Sequence, residues 1–501
     1  MGKEEKIIIK KVVKNMKETK SVKKNFIYST FYQILMIITP LITAPYLSRV
    51  LGADGIGIQS YTNSIQTYFI LLATLGTASY GAREISRNRD NKGAYTKLFW
   101  EIELLTVITT SICILFWGIL ICFSTKYKII YLVMTFNLFA TMFDISWFFS
   151  GLEEFKFIVL RNTFFKLLGI VLMLCLVKSR NDLIKYIFIL ASTNMVSSLS
   201  TWSYLPRVLV KVDFHKLNVF KHLKETLVYF IPTIATSVYT VLDKTLIQVI
   251  TKNELHNGYY AQAENVINLA KSVVFTAINS VVGVRISYLF TEKKIDEIKS
   301  RIDNSLNYIF FMGMGCIGGI IGVAKTFVPT MFGKGYGPVV YLLYIFSPII
   351  LIIGISNCLG SQYYTPAGKR AQSSCYLIIG SAVNLVLNLV LIPRYASFGA
   401  AIASIMAESL ITILYVNKCD GFTCWKKMWE IGYKKIISGF SMSIVLFLLY
   451  NFIKCNAIIV LGIQIIVGVF VYGIFLLLLR DKWTMSFVIH FLNKLNKNNK
   501  I

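Results

Sequence analysis

The sequence predicts an all-α polytopic membrane protein of about fourteen transmembrane helices: two six-helix lobes related by a parallel pseudo-repeat, plus two C-terminal helices. Three observations carry this. Of 501 residues, 55% are hydrophobic and 15% charged, against about 25% charged in an ordinary soluble domain. The apolar residues form blocks of roughly 20, the length a helix needs to cross about 30 Å of hydrocarbon. Stretches such as LFLLYNF and GIFLLLLR lack the period-two alternation of a membrane-barrel strand. Finally, the basic residues alternate between sides. Of 52 Lys and Arg, 38 fall on the two tails and on the loops and adjoining span ends after even-numbered spans, 11 on the loops and adjoining span ends after odd-numbered spans, and 3 deeper within spans. This positive-inside bias predicts cytoplasmic termini. It also explains the net charge of +27, which alone would suggest nucleic acid. Its placement favours membrane lipids and no nucleic acid.

Residues 1–25 form a basic cytoplasmic tail too polar for a cleaved signal peptide. Ile9, Val12, Val13 and Met16 share one side, as in a surface-lying amphipathic helix; a solvated tail fits the charge equally well. The N-lobe, 26–205, holds spans at 26–49, 57–80, 98–123, 129–151, 157–178 and 183–205. A basic cytoplasmic linker, 206–224 (PRVLVKVDFHKLNVFKHLK), precedes the C-lobe, 225–417. Its spans are 225–250, 258–284, 303–328, 336–361, 371–392 and 397–417. Spans 13 and 14, at 436–453 and 457–479, occupy 418–479, and 480–501 is a cytoplasmic tail. The repeat is faint. Gly57 opens span 2 (GIGIQSYTNSI) as Gly258 opens span 8 (GYYAQAENVI), WFFSG ends span 4 as QYYTPAG ends span 10, and spans 2 and 8 are the most amide-rich of their halves. Because six is even, both halves enter the membrane from the same side, about an axis along its normal.

The nine cysteines are scattered, and Cys419 and Cys424 have no His nearby, so no zinc site is expected. Four separate histidines offer no catalytic dyad. No enzyme chemistry and no bound cofactor are therefore expected, and the charged stripes within the spans are what point to a transporter.

Charge inside the spans is the informative exception. An ionised side chain at the bilayer centre costs at least about 2.5–3.5 kcal/mol on insertion scales, so it must face a partner or water. From Lys244, helical offsets reach Thr233, Ser237, Thr240 and Gln248 on one face of span 7, with Asp243 about 100° round the helix. Glu264, Asn268 and Lys271 stripe span 8. Gln59, Asn63 and Gln66 stripe span 2, and Asn137, Thr141 and Asp144 stripe span 4. Lys166 lies beside Asn162 on span 5, and Ser381, Asn384 and Asn388 stripe span 11. Stripes in both halves predict a shared hydrophilic cavity between the lobes; residue by residue, structural ion pairs and interhelical hydrogen bonds compete with that account. Lys166 and Lys271 fall near mid-depth, Lys244, Asp243 and Glu264 nearer the outside, and Arg49 at the outer rim. Lys166, Lys244, Lys271 and Arg49 are the expected cations for an anionic, phosphate-bearing substrate. Asp144, Asp243, Glu264, Asn63 and Asn268 are the polar groups expected to tune them or to carry a coupling ion, from a proton or sodium gradient. Arg83, Arg161, Arg285 and Arg370 sit at cytoplasmic span ends, suited to head-group capture or to plain anchoring. Pro40 and Pro45 in span 1, Pro232 in span 7 and Pro348 in span 10 each remove a helical hydrogen bond and permit a kink. Pro40 and Pro232, in equivalent first helices, are the hinge candidates.

The stretch PLITAPYLSRVLGADGIGIQSYTNSIQTYFILLATLGTASYGAREISR resembles the start of bacterial polysaccharide flippases, the Wzx-type transporters of the MOP exporter superfamily. MFGKGYGPVVYLL resembles their span 9–10 connection, and NLVLNLVLIPRYASFGAAIAS their span 11–12 connection. The likeness extends over nearly the whole chain, including the 6+6+2 plan. It implies alternating-access transfer of undecaprenyl-diphosphate-linked oligosaccharide repeat units between leaflets of the bacterial cytoplasmic membrane. The sugar passes a central cationic cavity while the lipid stays in the membrane, and a polysaccharide polymerase is a possible partner. A lipid II flippase of the same superfamily is the alternative. From another class, a membrane-embedded glycan polymerase would need a large outer loop with catalytic carboxylates or arginines, and the outer loops here are short.

Overall fold

A computed structural model of the chain describes the backbone of residues 3–453 and 455–486, with side chains from 31 onward except those of 155, 231–240, 276–285 and 287. Among the described residues there are sixteen α-helices and no strand: α1 (Lys3–Thr74), α2 (Thr77–Arg87), α3 (Lys92–Phe123), α4 (Lys128–Met142), α5 (Ser146–Gly151), α6 (Phe155–Leu176), α7 (Leu183–Trp202), α8 (Leu223–Thr251), α9 (Glu254–Thr291), α10 (Ile295–Phe332), α11 (Gly337–Phe346), α12 (Ile349–Leu359), α13 (Arg370–Tyr395), α14 (Ser397–Asn417), α15 (Trp425–Phe452) and α16 (Ala457–Leu478). Eleven helical runs among these residues are long and apolar enough to cross a membrane, so the chain is a multi-pass membrane protein. The fourteen expected spans are all helical. Spans 1 and 2 belong to one 57-residue run, and spans 7 and 8, which include side chains outside the described residues, are not among the eleven.

Breaks in the helices follow local chemistry. Helix α1 keeps helical geometry through Pro40 and Pro45 and departs from it at Gly52, with φ 74° and ψ 174°. A Cβ disfavours that positive φ, so glycine concentrates the bend at one residue. Span 4 is divided between α4 and α5, with Asp144 in the gap, and span 10 between α11 and α12, with Pro348 capping α12.

The chain packs as two units: Met1–Thr43 with Tyr61–Val241, and Ala44–Ser60 with Leu242–Ile501. In the first, an aromatic core gathers Tyr80, Tyr95, Phe99, Trp147, Phe148 and Phe149. The 206–224 segment, expected as a spacer, is made of short 3-10 turns docked onto this core. Tyr95 donates to the Val208 carbonyl at 2.9 Å, the Asn218 N–H donates to Glu101 at 2.9 Å, and buried His222 joins Glu101 and Tyr80, each at 2.8 Å. The docking satisfies polar groups that a free basic linker would leave to water.

In the second unit, Gly57 and Gly258 let two backbones cross at van der Waals contact. A Cβ on Gly57 would lie 1.9 Å from the Glu254 carbonyl oxygen, and one on Gly258 the same distance from that of Ala53. The two glycines that open spans 2 and 8 are thus each other's neighbours. Helices α15 and α16 join this unit against α10: Ser443 donates to the Gly318 carbonyl at 3.0 Å and Tyr472 to that of Phe311 at 2.7 Å. Fully buried Lys435 pairs with Asp481 at 3.0 Å, tying α15 to the chain beyond α16.

Candidate functional site

The first unit encloses a cavity of about 960 Å³. Its walls come from α1, the start of α2, the α4–α5 bend, α6 and α7, together with Thr106 of α3, and most of the polar lining is hydroxyl or carboxamide. The helical spacing that marked stripes in the sequence is what turns these residues inward. Asn63 and Gln66 come from α1, Asn137, Thr141 and Asp144 from span 4, and Asn162 and Lys166 from α6. The amides are linked. Gln66 donates to the Met134 carbonyl at 2.6 Å, Asn137 donates to Gln66 at 2.9 Å, and Asn194 donates to Asn137 at 3.3 Å. Such a chain holds its free lone pairs and N–H groups in fixed directions, as recognition of a polyhydroxyl ligand requires.

Two cations face this space, both on α6. Arg161 is partly buried and donates to Asn162 Oδ1 at 2.7 Å and to Ser146 at 3.3 Å. Its Nη1 is sealed from solvent and has no hydrogen-bond partner among the described residues. Lys166 lines the cavity one turn after Asn162 and has no ion pair among the described residues. Asp144 accepts the Ser146 N–H at 3.0 Å in the α4–α5 bend and lies within electrostatic reach of Arg161. The indole of Trp147 completes the wall. It packs over Gly81, where a Cβ would come within 2.4 Å of the ring.

The cavity thus gathers Lys166, Asn63 and Asp144 from the expected set, and adds Arg161, which the sequence placed at a cytoplasmic rim. The remaining candidates lie elsewhere. In the second unit, Lys244 is paired with Glu264 at 2.6 Å. Lys271, half-buried, feels the charges of Glu264, Glu408 and Lys244. Arg49 is exposed and donates to the Thr330 carbonyl in the last turn of α10, where a cation offsets the negative end of the helix. Asn268 and Arg370 are exposed, as is Arg83, which in the first unit donates to Tyr229. Pro40 sits within an unbroken stretch of α1. The side chains of Pro232 and Arg285 lie outside the described residues.

Asp243 is buried at the junction of four helices. It accepts from Tyr260 of α9 and Asn388 of α13, both at 2.6 Å, and from Ser404 of α14. Asn388 in turn donates to Asn384 at 3.0 Å. Sequence reasoning found Asp243 and the α13 amides but not Tyr260 or Ser404, because their spacing carries no sign of a shared partner. It also missed Glu103 on α3, 1% exposed, beside Trp147 and Asp144. The signal was present: span 3 carries two acids in LFWEIELL.

The family described as polysaccharide biosynthesis protein matches residues 22–283. The chain is 25% identical over 399 residues to a protein described as an O-antigen transporter of Escherichia coli (strain K12), covering 79% of this chain and 95% of that one. It is 25% identical over 238 residues to a protein described as a low-salt glycan biosynthesis flippase of Haloferax volcanii, covering 47% and 49% of the two chains. Among solved structures it is similar to the lipid II flippase MurJ in an inward closed conformation, with a TM-score of 0.70 at 16% identity over 91% of this chain and 99% of that one. It is also similar to an inward-facing multidrug resistance MATE family transporter of the MOP superfamily, with a TM-score of 0.60 at 12% identity over 78% and 94%. At these identities the solved structures show the fold alone.

Proposed function

The chain belongs to the polysaccharide biosynthesis protein family, and from that premise we propose that it is a flippase for lipid-linked oligosaccharide repeat units. The relatives described as an O-antigen transporter and a glycan biosynthesis flippase support this. The observation that carries it to residues is the first unit's cavity, with its linked amides and the two α6 cations. At about 960 Å³ it sits at the upper end of the roughly 300–1,000 Å³ typical of ligand sites.

In this reading the saccharide hydrogen-bonds the amide and hydroxyl lining and stacks against Trp147. The diphosphate of an undecaprenyl carrier takes the Arg161 guanidinium, once its buried Nη1 turns toward the cavity, and the Lys166 ammonium. Charge-assisted hydrogen bonds of this kind are about twice as strong as neutral ones, and they offset the cost of bringing a diphosphate into hydrocarbon depth. The carrier lipid stays in the bilayer while the protein alternates its access between leaflets. The Asp243 cluster of the second unit supplies a carboxylate ringed by oxygen and amide groups, chemistry suited to a proton or a sodium ion, and a gradient of one of these drives the cycle. The membrane is the bacterial cytoplasmic membrane, with both termini in the cytoplasm. A polymerase on the outer face takes the delivered unit.

The test is deletion of the gene followed by mapping of the lipid-linked glycan. Complete repeat units accumulate in the cytoplasmic leaflet, and wild type restores outer-leaflet units. Accumulation of single units already on the outside would refute the proposal in favour of a polymerase. Accumulated lipid II would move the substrate to the peptidoglycan precursor.

A further inference from the structure

We propose that Glu103 of α3 is the proton-binding group of the first unit's cavity, and that Trp147 gates it. The inference rests on the flippase reading for its purpose, but the site itself is defined by geometry. Both carboxyl oxygens of Glu103 are sealed from solvent, and neither has a hydrogen-bond partner among the described residues. The contrast with Glu101, two residues earlier on the same helix, is instructive. That acid is also buried, yet it accepts the Asn218 N–H, meets His222 at 2.8 Å and lies 3.8 Å from Lys97. Glu101 is an acid with its partners in place; Glu103 has no such set among the described residues.

A buried carboxylate without a cation or donors is a costly species, whereas the neutral acid tolerates the same surroundings far better. The groups facing Glu103 sharpen this. Asp144, from the α4–α5 bend, is the charged residue whose field reaches it. From α5, the indole N–H of Trp147 comes within reach of it and has no other hydrogen-bond partner among the described residues. From α2, Thr77 is engaged by Thr106 at 3.1 Å rather than by the acid. His222, beneath the docked linker, is committed to Glu101 and Tyr80.

Trp147 is at once a wall residue of the cavity and a neighbour of this acid. When the indole swings aside, cavity water reaches the carboxyl. The O–H bond breaks, the electron pair stays on the carboxylate oxygen and the proton passes to water. The new negative charge repels that of Asp144, which lies within electrostatic reach of Arg161 and there competes with the substrate diphosphate. Proton release at Glu103 and anion release from the cavity are thereby linked, and reciprocally, anion binding draws a proton back.

The experiment uses the full chain in lipid nanodiscs, as wild type, Glu103→Gln and Glu103→Asp. Infrared difference spectra between neutral and alkaline buffer should show a carboxylic-acid carbonyl band in wild type. That band should be lost in Glu103→Gln and shifted in Glu103→Asp. An unchanged band in Glu103→Gln, or a wild-type band removed by sodium at constant pH, overturns the proposal. Undecaprenyl diphosphate is then added in weak buffer with a pH dye. Wild type should take up protons and Glu103→Gln should bind the lipid without uptake; equal uptake by both also overturns it. If wild type does not bind this lipid, the substrate reading fails while the infrared result still decides Glu103. Should Glu103→Gln not assemble, the band shift in Glu103→Asp decides alone.

Discussion

A single lysine or arginine at membrane depth is ambiguous until its partner is known, and the described structure resolves that ambiguity differently for each. Lys244 meets Glu264 and Arg49 meets a helix-end carbonyl, so their charge is largely answered within the protein. Lys166 and the Nη1 of Arg161 are not so engaged among the described residues. Lys166→Ala and Arg161→Ala should each weaken binding of undecaprenyl diphosphate by about 1.5–3 kcal/mol, the worth of a hydrogen bond to a charged group, on the order of ten- to hundredfold in affinity. Normal protein levels in membranes with unchanged lipid binding would remove the phosphate assignment. Asp243 calls for a different substitution. Asp243→Asn keeps the size of the side chain, so the protein should assemble while gradient-driven transport falls on the order of 5–150-fold, the range of typical coupling energies. Transport assays in vesicles with and without an imposed gradient check this, and an undiminished gradient response would place coupling elsewhere. Outside the spans, the Lys369 ammonium and then the Tyr363 hydroxyl hold the Asp420 carboxyl below its ordinary value. A lowered carboxylate stabilises the folded loop above the unfolded carboxylate's range and loses that contribution as pH falls through its own. Hydrogen exchange around Asp420 should therefore accelerate below about pH 4, and Asp420→Asn should remove the acid dependence.

At the scale of elements, close contacts between helices matter more than helix propensity. Gly57 and Gly258 were visible in the sequence as matching openers of spans 2 and 8; that they touch is a property of the packed unit. An added Cβ must displace backbone, and overpacking of this kind costs typically about 1–3 kcal/mol. Gly57→Ala and Gly258→Ala should each lower the melting temperature of the purified protein, and wild-type melting in both would contradict the crossing. Gly81→Ala acts at one remove. Its methyl group would push the Trp147 ring, so transport should fall more than stability does. Equal loss of both would make Gly81 a packing residue alone. The breaks in spans 4 and 10 and the docking of the 206–224 turns were not legible. A bend such as the one carrying Asp144 depends on which neighbour accepts the freed backbone groups, and apolar periodicity is silent on that.

For the whole molecule, the alternation of basic residues assigns a side to every loop. Cys122 and Cys455 are exposed at ends expected outside, and Cys424 is exposed on a loop expected in the cytoplasm. A membrane-impermeant thiol reagent applied to intact cells should label single-cysteine proteins retaining Cys122 or Cys455 and spare one retaining Cys424; the opposite pattern would invert the topology. The sequence by itself determined that this is an all-helical, multi-pass membrane protein, because hydrocarbon thickness and the cost of unpaired backbone groups leave an apolar chain few options. It also determined which helix faces are polar, since helical periodicity alone places Asn63, Asp144 and Lys166 on stripes. Only the tertiary structure decided which stripes share a space. It put Lys166 with Arg161, closed Lys244 onto Glu264, surrounded Asp243 with donors from three other helices and buried Glu103 beside Trp147 and Asp144. The physical reason is that a charge's role is set by its partner, and partners as far apart along the chain as Asp243 and Ser404, 161 residues, are chosen by packing.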